Sequence, residues 1–210
     1  AVNIISNSTN TEDFINLSAT TKYRAIIQSG VCSEASSNEV TITVDEVSVG
    51  GNLTTEATNV CFGDNSGTLT VSEETGSVVR WESTTNDWGT VEPILNTSNT
   101  QDFNNLTTTT KYRAIIQSGI CSEASSNEVT VTVDAVSIGG TASTSASNVC
   151  SGDNSGSITV SGETGNVVRW ETTTNNWGIV TSISNTSNTQ DYNNLTETTK
   201  YRAIIQSGEC

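Results

Sequence analysis

The sequence predicts an all-β fold of two-sheet sandwiches repeated in tandem. Three observations predict it: a fixed internal period, a composition rich in Thr, Ser and Asn, and alternating strand patterns punctuated by Gly, Asn and Asp turns. KYRAIIQSG recurs at Lys22, Lys111 and Lys200, each 89 residues after the last, so one structural unit is used three times. Residues 61–121 and 150–210 align without a gap over 61 positions and differ at 14. The differences are mild, such as Leu69 against Ile158 and Phe103 against Tyr192.

Ala1 aligns with Thr90 and Cys210 with Cys121, so the window is out of phase with its own repeat. Residues 1–45 read as the back half of one module, 46–134 as a complete module and 135–210 as a module without its last strand. A longer parent chain is expected. A unit of 89 residues has the size of an immunoglobulin-type sandwich.

In the complete module, alternation predicts strands over residues 47–53, 67–73, 77–84, 100–106, 111–117 and 128–133, with an edge strand near 91–95. The segments Gly63-Asp64-Asn65-Ser66-Gly67, Glu74-Thr75-Gly76 and Ser118-Gly119 supply turns, because these residue types tolerate positive φ. Tyr112, Ala114 and Ile116 are expected to face inward, with Val79 and Trp81 packing against them from the neighbouring strand. No stretch carries a sustained helical apolar period.

Leu106 precedes Tyr112 by six residues at the start of a strand, and Leu17 with Tyr23 and Leu195 with Tyr201 repeat the spacing. The pattern resembles the tyrosine corner of sandwich domains, in which the tyrosine hydroxyl bonds nearby backbone. Trp81 and Trp170 read as core residues. Trp88 and Trp177 precede Gly in a loop, where they either cover the sandwich edge or offer an aromatic surface to a ligand.

Five cysteines in such a chain point to disulfides and an oxidising setting. Pairing within modules joins Cys61 to Cys121 and Cys150 to Cys210, leaving Cys32 unpaired by truncation. The alternative joins the early cysteine of one module to the late hairpin of the next, which would bridge Cys61 to Cys210. Spacing alone leaves both open.

The net charge is −15, and no basic surface exists for phosphate contacts, so nucleic acid is not an expected partner. No membrane span or lipidation motif occurs within these residues, and membrane insertion is not expected. Histidine is absent, and no nucleophile elbow, phosphate loop or metalloprotease helix appears, so catalysis is not expected. No cofactor is expected. Asp64 and Asp153, in the repeated Gly-Asp-Asn-Ser-Gly loop, are weak calcium candidates, because one carboxylate is few for such a site. At the module junctions only one aspartate recurs, as Asp45 and Asp134.

The stretches Val60-Cys-Phe-Gly-Asp-Asn-Ser-Gly-Thr-Leu-Thr-Val, Thr75-Gly-Ser-Val-Val-Arg-Trp-Glu, Thr110-Lys-Tyr-Arg-Ala, Gln117-Ser-Gly-Ile-Cys and Asn127-Glu-Val-Thr-Val-Thr-Val together resemble the Ig-like repeats of very large Bacteroidetes surface proteins. That group includes gliding-motility adhesins of the SprB kind, exported by type IX secretion. The resemblance implies tandem immunoglobulin-like or fibronectin type III-like sandwiches on the cell surface. Their role would be that of a disulfide-stabilised stalk or filament for adhesion or gliding. Implied partners are neighbouring repeats of the same chain, surface glycans and other surface or secretion-system proteins. Two other functions fit the residues: a glycan- or protein-binding module using Trp88 and Trp177, and a self-assembling filament or sheath.

Overall fold

The structure, a computed structural model, describes residues 2–210, and among them no helix forms. Short strands alternate with polar turns throughout, as a chain rich in β-branched and turn residues dictates. Four strands belong to the first repeat: β1 (Thr21–Tyr23), β2 (Ile26–Ile27), β3 (Ala35–Ser36) and β4 (Val40–Ile42). They pair as β1 with β4 and β2 with β3.

The second repeat carries β5 (Asn52–Thr54), β6 (Asn59–Cys61), β7 (Ser66–Ser72), β8 (Ser77–Thr84), β9 (Glu92–Ile94), β10 (Thr100–Asn104), β11 (Thr110–Gln117), β12 (Ala124–Ser125) and β13 (Val129–Asp134). One sheet has the order β10-β7-β5, and the other β6-β13-β11-β8-β9 with β12 added to β11. Leu53, Leu69 and Val71 from the first sheet meet Trp81, Ile116 and Val131 from the second in one core. Trp81 is fully buried and its indole nitrogen donates to the Ser98 carbonyl at 2.9 Å, so its polar handle is satisfied. These are tandem immunoglobulin-like, fibronectin type III-like sandwiches.

The third repeat forms β14 (Thr141–Thr144), β15 (Ser155–Ser161), β16 (Asn166–Thr173), β17 (Thr181–Ile183), β18 (Thr189–Asn193) and β19 (Lys200–Gln206). Its sheets have the orders β14-β15-β18 and β17-β16-β19. Trp170 is fully buried there and donates to the Ser187 carbonyl at 2.9 Å.

Two expectations need correction. Val78, not Val79, enters the core, because a bulge shifts the β8–β11 register between Ile115 and Ile116 and leaves Val79 as the extra residue. The same shift recurs between Val167 and Arg169. The corner at Leu106 is closed by an asparagine rather than by the tyrosine hydroxyl. Asn65 accepts from the Leu106 amide at 2.9 Å, and its side-chain amide donates to the carbonyls of Leu106 at 2.8 Å and Cys61 at 2.6 Å. Asn154 does the same for Leu195. An amide carries both donor and acceptor and so satisfies both backbone groups at once. The tyrosines stack instead: Tyr112 on Phe103 with centroids 6.1 Å apart, Tyr23 on Phe14 at 6.2 Å, and Tyr201 tilted against Tyr192 at 6.4 Å.

Candidate functional site

The junction between sandwiches is the most highly built polar feature of the chain. β13 ends at Asp134, and β6 runs parallel to it with Cys61 opposite Asp134. Cys61 therefore lies at the pole from which the chain leaves for the next sandwich. β11 runs antiparallel to β13, so the hairpin after β11, which holds Cys121, lies at the opposite pole. The equivalent hairpin of the third sandwich, ending at Cys210, faces the second.

Asp134 accepts from the Glu209 amide at 3.2 Å, its carboxylate lying against the α-carbon of Gly208. Gly208 has φ +50, and a β-carbon there would come within 1.9 Å of the Asp134 carboxylate, so glycine is required for both conformation and approach. Ser207 donates its amide to the Ser137 hydroxyl at 2.9 Å. The first junction repeats each contact: Asp45 accepts from Ile120 at 3.2 Å, Gly119 has φ +52, and Ser118 donates to Ser48 at 2.9 Å. The recurrent aspartate is thus a cap on the next sandwich's hairpin.

A disulfide joins Cys61 to Cys210, with α-carbons 5.4 Å apart. This corrects the pairing of Cys61 with Cys121 and of Cys150 with Cys210, because each of those pairs spans opposite poles of one sandwich. Cys121 and Cys150, like Cys32, carry free thiols. The bridge closes a separation of 149 residues, for which chain entropy gives roughly 5 kcal/mol.

A second feature covers the outer face of each larger sheet. The Arg113 guanidinium lies 4.1 Å from the Trp88 ring centroid, and Arg202 lies 4.2 Å from that of Trp177. Glu82, with its side chain 7 % exposed, bridges Arg80 at 2.8 Å and Arg113 at 2.6 Å, and Arg80 continues to Glu123 at 2.7 Å. The Trp88 indole donates to Glu128 at 2.5 Å, and Lys111 reaches Glu128 at 3.1 Å. These contacts shift titrations. Glu123, and to a lesser degree Glu82, push the Arg80 guanidinium further up. The Trp88 bond and then Lys111 hold Glu128 below its ordinary value. Glu171 is lowered by Arg202 and then Arg169.

Trp88 and Trp177 adopt φ 66° and 69°, each after a residue that is also at positive φ, a conformation that costs a bulky side chain energy. Thr84 compensates: its hydroxyl accepts the Trp88 amide at 3.2 Å and the Asn86 amide at 3.3 Å. Both indoles are half-buried. Asp64 and Asp153 are exposed, and the neighbouring asparagines carry the loop's hydrogen bonds. Among the described residues no three His, Cys, Asp or Glu side chains converge as a metal site.

Fold and junction define a class: a tandem array of all-β sandwiches clasped end to end. The chain belongs to the family described as a domain of unknown function (DUF8696), whose model matches residues 1–46, 49–135 and 138–210. Among solved structures it is similar to the crystal structure of the chicken CNTN1 FN1–FN3 domains. The identity is 12 % and the TM-score 0.29, over 89 % of this chain and 71 % of that one. No curated protein matches it.

Proposed function

We propose that these repeats form a length of stalk in an extracellular cell-surface adhesin, of the kind found in giant Bacteroidetes surface proteins exported by type IX secretion and used in attachment or gliding. The role is mechanical and non-enzymatic. The observation that carries this reading is the junction, where an aspartate caps each hairpin from the preceding sandwich and, at the second junction, a disulfide joins the two. Covalent and hydrogen-bonded clasps between successive domains limit bending and transmit load. The disulfide also favours an oxidising, extracellular compartment, and the acidic surface keeps neighbouring stalks apart. The tryptophans favour a structural role over a ligand platform, because Arg113 and Glu128 already occupy the Trp88 ring and nitrogen.

Small-angle scattering on chains of increasing repeat number tests the reading. The expected result is a rod whose maximum dimension grows by a constant increment per repeat, unchanged by added polysaccharide. A compact particle, or a saturable glycan complex lost in a Trp88→Ala, Trp177→Ala double variant, would replace the stalk with a binding module.

A further inference from the structure

Of the three free cysteines, two stand at the repeat positions of the bonded pair within the second and third sandwiches. Cys121 is the repeat equivalent of Cys210 and Cys150 that of Cys61. Cys210 lies 3.8 Å from the Asp134 carbonyl, and Cys121 lies 3.7 Å from the Asp45 carbonyl and 3.3 Å from that of Glu46. The Cys121 turn closes on the Ser118 carbonyl at 2.9 Å, as the Cys210 turn closes on Ser207 at 2.8 Å. Hairpin, cap and sulfur therefore sit at the first junction as they do at the second. The partner chemistry is fixed by that second junction, where the sulfur facing the aspartate carbonyl is bonded to a cysteine from the early strand of the preceding sandwich.

We infer that Cys121 and Cys150 are half-clasps, each set to bond a cysteine of an adjoining copy of this repeat, so that every junction of an array carries its own disulfide. Cys121 takes the early-strand cysteine of a copy that precedes it. Cys150 takes the hairpin cysteine of a copy that follows. Each complete sandwich is then bonded once to each neighbour and holds no internal bridge. The inference rests on the stalk reading only for its biological use. Bond formation needs an oxidant of the small-molecule disulfide class, such as oxidised glutathione. One cysteine thiolate attacks a sulfur of the oxidant and expels one thiol. The second cysteine thiolate attacks the resulting mixed disulfide and expels the other, so two electrons and two protons pass from the protein thiols to the oxidant.

The test extends the full chain in register, with residues 1–89 repeated before Ala1 and residues 122–210 repeated after Cys210. After refolding with oxidised and reduced glutathione, non-reducing peptide mapping and thiol alkylation are read together. The expected map links Cys121 to the added early-strand cysteine and Cys150 to the added hairpin cysteine, with Cys61–Cys210 retained. In the unextended chain both thiols alkylate fully; in the extended chain they no longer react. A Cys61–Cys121 or Cys150–Cys210 peptide, or Cys121 and Cys150 alkylated in the extended chain, overturns the inference. A Cys61→Ser variant of the extended chain adds a control. It should free Cys210 alone, and re-pairing of Cys210 with Cys150 would equally overturn the proposal. A failed bond map with a scattering profile that still lengthens per repeat removes the clasp and leaves the stalk; a compact particle with the predicted map does the reverse.

Discussion

The second and third sandwiches share nearly the same sequence up to Cys121 and Cys210, but only the second is followed here by the residues that form β12 and β13, and their cores close accordingly. Val60 is 8 % exposed in the second, and its equivalent Val149 is 44 % exposed in the third. Tyr112 is buried whereas Tyr201 is only half-buried. β11 has β13 beside it, while β19 pairs with β16 alone. At the Leu53 position the third sandwich has Ala142. The result is a cavity of about 560 Å³ lined by Ala142, Val149, Ile158, Tyr192, Leu195 and Tyr201. The comparison separates what the strand β13 and the strand β6 contribute from what the tryptophan centre contributes, because Trp81 and Trp170 have equal burial and the same bond.

The largest effect is expected at that shared centre. Trp81→Ala and Trp170→Ala should each cost about 3–5 kcal/mol in their own sandwich, read by denaturant unfolding with the remaining tryptophan of that sandwich, Trp88 or Trp177, as the reporter. Equal losses mean that the cavity stops short of the centre. A loss at Trp170 less than half that at Trp81 would mean that the third core is loose throughout.

Next comes the strand itself. Residues 122–134 repeated after Cys210 supply an equivalent of β13, whose Val131 is fully buried while Val129 and Val133 are partly buried against the core. One full and two partial valine burials are worth about 2–5 kcal/mol. The third sandwich should gain that much, and hydrogen exchange along β19 should slow. No change in exchange would show that the cavity is not the seat of this strand.

The main strands were legible because alternation and Gly/Asn punctuation agree with the pleat: β8 spans residues 77–84 as expected, and β7, β10 and β11 fall within one or two residues of expectation. β6 and β12 were not, since three and two residues carry no period and form only where a distant partner lies. The bulge at Val79 was hidden for the same reason, as nothing in Ser-Val-Val-Arg marks which valine is extra. The recurrence of Asp45 and Asp134 was visible, but its meaning depends on a hairpin 75 residues away. Cysteine pairing needed the poles, and the poles needed the parallel β6–β13 pair. The asparagine that closes the corner sits in a loop that also reads as an ordinary turn.

A smaller effect sharpens the corner. Asn65→Ala leaves the Leu106 amide and the carbonyls of Leu106 and Cys61 without their partner, at a cost of about 1–3 kcal/mol for half-buried groups. Asn154→Ala removes the same bonds beside the cavity, where the Cys150 and Leu195 carbonyls can turn to water. The loss there should be smaller, and thermal unfolding of the two variants measures the difference.

The smallest effect is electrostatic, and it again divides the two sandwiches, because the positions equivalent to Glu123 and Glu128 fall after Cys210 and Asp87 is replaced by Asn176. In the second, Glu123 is lowered by Arg80, Glu128 by Trp88 and Lys111, and Asp87 by Lys111. In the third, among the carboxylates of its outer face, Glu171 is lowered by Arg202 and Arg169. A carboxylate with a depressed folded value binds its proton more readily when unfolded, so it adds stability above its unfolded value and loses it as pH falls through the folded one. Both sandwiches should therefore melt earlier as pH falls below the ordinary carboxylate range, and the second should lose more. Because these groups lie at the surface, salt screens them. Melting curves from pH 7 to pH 3 at low and high ionic strength should show the gap between the sandwiches narrowing in acid at low salt and changing less at high salt. A gap independent of pH would show that these ion pairs do not contribute to any difference in stability between the sandwiches.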